Sequence, residues 1–329
     1  MLTMGAIYDR YGDRTVAPLL IAFGLTTMLP GTAPSAPWLF VGLLGVGALS
    51  GMLDVAINAA AVEWEAATGR RLLALLHAGF SGFFLVASIS VGLARGGGAG
   101  PMGVLLGLAL VVALAAPLNL MPRVAAPEYR RRPRLRLEPF FLMLGAFCAL
   151  AFVVEGGMEA WSAEHLERTF GSSAAVGGLG PGSFAAAMLC GRALAHVIGH
   201  RLSDHRLLMG GALLAAGGIS VVSIAPTAVI AMAGFACAGL GVAVAAPTLF
   251  GVAGREASDQ AKGSALATVT TVAYLGFLFG APIVGWISGV SSLRFGMGFM
   301  AIVCVTLAAL SRLIPRAAVR HRAVRSHAG

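Results

Sequence analysis

The sequence predicts an all-α membrane protein, and three observations carry that prediction. Of 329 residues, 58% are apolar and only 11% are charged, where a water-soluble domain carries roughly a quarter charged residues. Mean hydropathy is +0.86, and the apolar residues fall in runs close to the ~20 needed to cross a hydrocarbon core. The 45 glycines suit close helix–helix approach in lipid.

Ten spans are predicted, over about 16–33, 38–61, 73–94, 102–121, 139–163, 174–198, 207–225, 227–251, 264–287 and 295–314. The first begins after a charged stretch ending at Arg14, and the second carries Asp54 and Asn58. The third follows Arg70-Arg71 and carries His77; the fourth leads into the longest connection, 122–138, with six arginines, Pro127 and Pro133. The fifth carries Glu155 and Glu159, and the sixth carries Arg192 and His196. The seventh follows Asp204 and Arg206, and the eighth is apolar. The ninth holds Gly276, Gly280, Pro282 and Gly285; the tenth precedes a basic tail, 315–329. The expected organisation is a four-helix bundle (1–121), a cytoplasmic linker (122–138), a six-helix bundle (139–314) and a basic cytoplasmic tail.

Orientation follows from the Lys/Arg bias. Nineteen of the 23 Lys and Arg residues lie in one set of connections and three, Arg95, Arg168 and Arg294, in the other; Arg192 lies within a span. The arginine-rich set is cytoplasmic, which places both termini inside. That distribution also accounts for the net charge of +9 without nucleic acid. The four cysteines each stand alone in an apolar run, so no metal or disulfide framework is expected. There is no phosphate loop with Gly-Lys-Ser/Thr, no zinc motif and no nucleophile elbow, so neither an enzyme nor a cofactor is predicted.

Ionisable groups inside a bilayer are expensive and are functional candidates by default. Asp54 and Asn58 are four apart and share a helix face, as do Glu155 and Glu159. On the residues alone the Asp54 pair is a candidate proton or substrate site. Gly156-Gly157 weakens the helix beside Glu155, and local unwinding is expected there. Burial disfavours the charged form of an acid, which makes Glu155 the leading proton or solute site. Glu159, nearer the outer surface, is either part of that site or simply solvated. His77 is either an interfacial residue or a proton relay. Arg192 needs an acid, a carbonyl or the interface. The small residues around Pro282 permit tight packing and a kink, and packing and gating both remain open for them.

The chain opens on Gly5-Ala6-Ile7-Tyr8-Asp9-Arg10-Tyr11-Gly12-Asp13-Arg14. This resembles the signature loop G-x-L-x-D-R-x-G-R-R between helices two and three of the major facilitator superfamily. Gly5, Asp9, Arg10, Gly12 and Arg14 match in register, while Asp13 replaces a usual basic residue; the resemblance also implies a second reading of Asp54, as the helix-four acid that pairs with this loop, a role for which Glu63 competes. A degenerate copy at 199–206 aligns Asp204 with Asp9 and keeps Arg206, as two related halves would. Asp54 with Asn58, Gly69-Arg70-Arg71, His77 with Gly79 and Ser81, Glu155-Gly156, Trp161-Ser162 and Gly191-Arg192 together look like the bacterial fucose-permease-like subgroup.

The resemblance implies two helical bundles around a central cavity, with ten of twelve helices present and the first two missing. It implies a monomeric inner-membrane transporter, in contact with lipid, that carries a small solute by alternating access and uses the proton as coupling ion. The competing expectation is a non-transporting remnant or sensor of the same origin. For orientation, a phosphatase active only in the periplasm, fused after Arg322, should be silent in colony assays; activity at that site would reverse the topology.

Overall fold

Hydrocarbon offers no partner to a backbone amide, so a chain crossing it closes its hydrogen bonds internally. The computed structural model describes residues 2–68, 73–115, 138–198, 202–257 and 262–314, and the described residues are helical almost throughout, with no strand among them. Most of the linker 122–138 and all of the tail 315–329 lie outside the described residues, as do the side chains of Gly5, Asp9, Glu63, His77 and His196.

The helices are α1 (Leu2–Tyr11), α2 (Val16–Thr26), α3 (Ala36–Thr68), α4 (Leu73–Gly96), α5 (Pro101–Ala115), α6 (Pro139–Phe170), α7 (Ala174–Gly177), α8 (Leu179–Ile198), α9 (Asp204–Ile224), α10 (Ala228–Val242), α11 (Ala245–Glu256), α12 (Lys262–Val290) and α13 (Leu293–Leu310). Among the described residues nine segments are long and apolar enough to cross a membrane, and Pro101–Ala115 is a shorter apolar helix. The chain groups into two compact units, Met1–Gly79 with Ala94–Arg131, and Phe80–Leu93 with Arg132–Gly329.

In the first unit α2 packs on α3 and α5, and α1 buries Met4 and Tyr8 against Met52, Val55 and Ala56 of α3. The signature stretch, expected as a loop, is helical as far as Tyr11. The turn is confined to Gly12–Thr15. Gly12 sits at φ +60°, a left-handed conformation that glycine adopts without a Cβ penalty, and the Thr15 hydroxyl donates to the Gly12 carbonyl at 2.8 Å.

In the second unit α6 is the central post, packed on α12, α13, α8 and α11. It runs from Pro139 to a left-handed Gly171, whose N–H caps the Leu166 carbonyl. It therefore extends seven residues beyond the predicted end, through a polar stretch in which Arg168 pairs with Glu164. The unwinding expected at Gly156-Gly157 does not occur, because α6 is continuous there. Both glycines serve close approach instead. A Cβ on Gly156 would lie 2.8 Å from Phe277 Cδ1 of α12, and one on Gly157 would lie 2.4 Å from Met300 Sδ of α13.

The helix interruption falls in the eighth predicted span, between α10 and α11 at Ala243 and Val244. Pro247 has no N–H, so the Ala243 carbonyl four residues earlier has no intrahelical donor.

The α6–α12 seam runs on glycine. A Cβ on Gly276 would stand 2.1 Å from the Ala149 carbonyl oxygen, one on Gly280 2.7 Å from Val153 Cα, and one on Gly285 2.5 Å from Trp161 Cζ2. Pro282 lies inside the continuous α12, and Trp161 Nε1 donates to the Ala281 carbonyl at 2.9 Å. Gly276→Ala should therefore lower thermal stability in detergent by the equivalent of about 1–3 kcal/mol through overpacking. Gly217→Ala on α9, where an added Cβ meets nothing within 4 Å, should be neutral or stabilising by about 0.5–1 kcal/mol. Equal melting temperatures for the two variants would refute the seam.

Candidate functional site

A buried charge cluster forms around the middle of α6. Glu155 is buried, and Arg192 of α8 reaches it, with Nη2 3.3 Å from Glu155 Oε1. Arg192 Nη1 also donates to the hydroxyl of the buried Ser81 on α4. Three helices thus supply one acid, one base and one hydroxyl.

Glycine places each of them. A Cβ on Gly191 would come within 2.7 Å of Ala243 Cβ and 2.9 Å of the Leu240 carbonyl, so α8 sits directly against the end of α10 at the level of Arg192. Nearer the other end, Gly92 of α4 approaches Gly178 with a built Cβ only 2.9 Å from its Cα. That contact fixes the antiparallel α4 and α8 so that Ser81 and Arg192 face one another further along. Gly156, beside Glu155, admits Phe277 of α12.

Glu159 is half-buried and lies within electrostatic reach of both Glu155 and Arg192. Because α6 continues to Phe170, Glu159 stands about 16 Å from the helix end, taking 1.5 Å per residue. Glu155, Glu159 and Arg192 are therefore one cluster. Arg192 was legible in the sequence only as a cation needing a partner, and Ser81 only as part of a family-like stretch. The signal that joins them is the rule that a charge inside the membrane must be matched, and that rule does not say by which residue.

The remaining candidates fall elsewhere. On α3, Asn58 Nδ2 donates to both the carbonyl and Oδ1 of Asp54, each at 2.9 Å. This bond holds the carboxylate along its own helix. His77 lies in α4, with its side chain outside the described residues. In the signature stretch Arg10 stacks over the Tyr11 ring at 5.4 Å. Arg14 lines a groove of about 500 Å³ with Met4, Ile7, Tyr11, Pro18 and Met52.

In the second copy, Asp204 opens α9 and accepts from Arg255 Nη2 at 2.7 Å. The acid sits in the first turn of α9 and the base in the last turn of α11, each where the helix dipole favours its charge. Arg206 is exposed. Gly276, Gly280 and Gly285 lie in the α6–α12 seam, where Pro282 shares their helix. Among the described residues no group of three His, Cys, Asp or Glu could hold a metal.

The family model described as Major Facilitator Superfamily matches residues 142–328. The chain is 31% identical over 328 residues to an uncharacterized MFS-type transporter of Yersinia pestis, covering 95% of this chain and 82% of that one. It is 28% identical over 298 residues to membrane protein MosC of Rhizobium meliloti, covering 90% and 73%. A bacterial homolog to the human lysosomal transporter Spinster, solved inward-facing and occupied, superposes with a TM-score of 0.79 at 16% identity, covering 97% of this chain and 86% of that one. The E. coli fucose:proton symporter FucP superposes with a TM-score of 0.58 at 14% identity, covering 95% and 86%.

The ion pair makes a stability prediction. Arginine cannot shed its proton, so Glu155→Ala leaves a largely buried cation without its acid. That should cost about 3 kcal/mol, while removing both partners should cost less than the sum of the two single changes. Thermal unfolding of Glu155→Ala, Arg192→Ala and the double variant measures the coupling, and strict additivity would rule it out.

Proposed function

The chain belongs to the major facilitator superfamily, and from that premise we propose that it is a proton-coupled secondary transporter moving a small polar solute by alternating access. Membership makes it a multi-pass membrane protein that transports a solute, and not an enzyme. The proposal goes further, and the observation that carries it is the Glu155–Arg192 pair with Ser81 on the same guanidinium.

A proton arriving on Glu155 removes the negative charge that holds Arg192. The guanidinium stays charged at every accessible pH, and a desolvated cation without a partner is unstable. A polar solute supplies oxygen acceptors to replace the lost carboxylate. Proton and solute binding are then linked through one side chain, and each biases the equilibrium between inward- and outward-open states. That FucP is a fucose:proton symporter supports the proton as coupling ion and a small hydroxylated solute as cargo.

The arrangement we propose is a lipid-embedded monomer in the bacterial inner membrane. It has bundles at 1–121 and 139–314, and both termini and the linker 122–138 are cytoplasmic. Asp54 serves a different purpose in this reading. Held by Asn58 along α3, it anchors the signature stretch rather than carrying the proton.

Uptake of labelled L-fucose and related monosaccharides into proteoliposomes tests the assignment. Glu155→Gln keeps shape and hydrogen bonding but cannot titrate, so it should retain counterflow exchange while accumulation driven by a pH gradient falls about tenfold or more. Asp54→Asn should slow both modes together. Wild-type accumulation in Glu155→Gln would remove Glu155 from the coupling role.

A further inference from the structure

We propose that Ser162 and His165 hold an internal water molecule and form the entry step by which protons reach Glu155 from the outer side. The inference rests on the proton-coupled reading and on the orientation set by the arginine bias. It concerns residues that neither reading uses.

Both side chains are fully buried on the half of α6 beyond Glu155. Among the described residues, Ser162 Oγ and His165 Nε2 are the buried side-chain polar atoms that make no hydrogen bond. Groups of this kind are nearly always satisfied, and each exception needs an explanation. The surroundings are apolar, with Met158, Leu166, Val222 and Phe235 all in the same core. A leucine or phenylalanine would fill the space of His165 without an unmet polar atom.

The two residues are three apart on one helix, which puts their Cβ atoms about 5–6 Å from each other. The two polar atoms make no direct bond, and this spacing suits a bridging water, which needs two to four polar partners. The Val222 carbonyl of α9 accepts from the Ala225 N–H at 3.4 Å and lies beside the ring. Gly180 closes one side of the site, since a Cβ there would stand 2.8 Å from the Ser162 carbonyl oxygen.

The other groups facing His165 define the outer edge. Thr169 Oγ1 lies 3.2 Å from Nδ1, with the tautomer deciding which of the two donates. Phe170 and Phe235 present edges at 5.4 and 6.2 Å. From α13, Arg294 acts on the ring electrostatically; its guanidinium lies over Phe170 and donates to the Ala225 carbonyl at 2.7 Å.

From His165 the path descends α6 in helical steps of three, three and four residues, through Ser162 and Glu159 to Glu155. The total rise is about 15 Å. A proton taken up at Nε2 makes the ring cationic. It then leaves through the water and the Ser162 hydroxyl for the Glu159 carboxylate, restoring the neutral ring, and passes from Glu159 to Glu155. No bond other than O–H and N–H forms or breaks.

The test follows protonation of the carboxyl by time-resolved infrared spectroscopy after a pH drop outside proteoliposomes containing the full chain. Glu155→Gln identifies the band. His165→Leu and Ser162→Ala should each slow its rise by about tenfold and leave its final amplitude intact, while the melting temperature of His165→Leu stays level or rises. A band rising at the wild-type rate in both variants overturns the proposal and leaves proton coupling standing. If no band is lost in Glu155→Gln, proton coupling fails and this inference falls with it.

Discussion

The contact on which this structure depends is the backbone-to-backbone approach of α6 and α12. Lipid tails are as apolar as leucine, so two membrane helices gain little by hiding leucines from them. They gain by fitting. Where Gly276 meets the Ala149 carbonyl and Gly280 meets Val153 Cα, the absence of a side chain brings two helices into contact that any Cβ would prevent. Trp161 locks the far end of the seam, its ring on Gly285 and its N–H on the Ala281 carbonyl. Met300 presses on Gly157 from α13 and fixes the rotation of α6 about its axis.

That rotation decides where Glu155 points, and so the electrostatics of the unit follow from the packing. An acid and a base drawn out of water lose several kcal/mol of hydration each, which only good geometry and further hydrogen bonds offset. The further bond here is Ser81, which occupies a second nitrogen of the guanidinium. Its position depends on another glycine contact, Gly92 against Gly178. The same logic applies in milder form near the helix ends, where Asp204 and Arg255 lie partly exposed. Such exposed pairs contribute less than about 1 kcal/mol, so they orient helix ends more than they hold the fold.

The helical class of the fold and the order of its apolar spans were legible in the sequence because hydrophobic length is a one-dimensional property. The family was legible from Gly5, Asp9, Arg10, Gly12 and Arg14. Gly12 shows why that stretch persists as a pattern, since its positive φ turns the chain between α1 and α2. Glycine was ambiguous elsewhere. Gly156-Gly157 reads equally as a weak point and as a docking surface, and only the bulk of Phe277 and Met300 on the facing helices decides for docking. The true interruption had a local signal in Pro247, hidden because the eighth run is apolar on both sides of it. The end of α6 was misplaced because a polar segment, Glu164 to Arg168, continues a helix whose apolar core stops earlier. Partners such as Ser81 for Arg192 are 111 residues apart and leave no trace in spacing.

The rigid and the interrupted elements converge at one level of the second unit. α6 carries Glu155 on a continuous helix held by three glycine contacts along α12. α8 carries Arg192 immediately after Gly191, and Gly191 rests on Leu240 in the last turn of α10 and on Ala243, where α10 gives way to α11. The acid therefore stands on a continuous helix, and the base leans on the part whose backbone ladder is broken by Pro247. Irregular backbone is tolerated inside a membrane only where protein or water surrounds it, and Ala243 and Val244 are buried. The hydrogen that stands in place of a side chain at Gly191 is what lets the α8 backbone, and with it Arg192, sit against that junction.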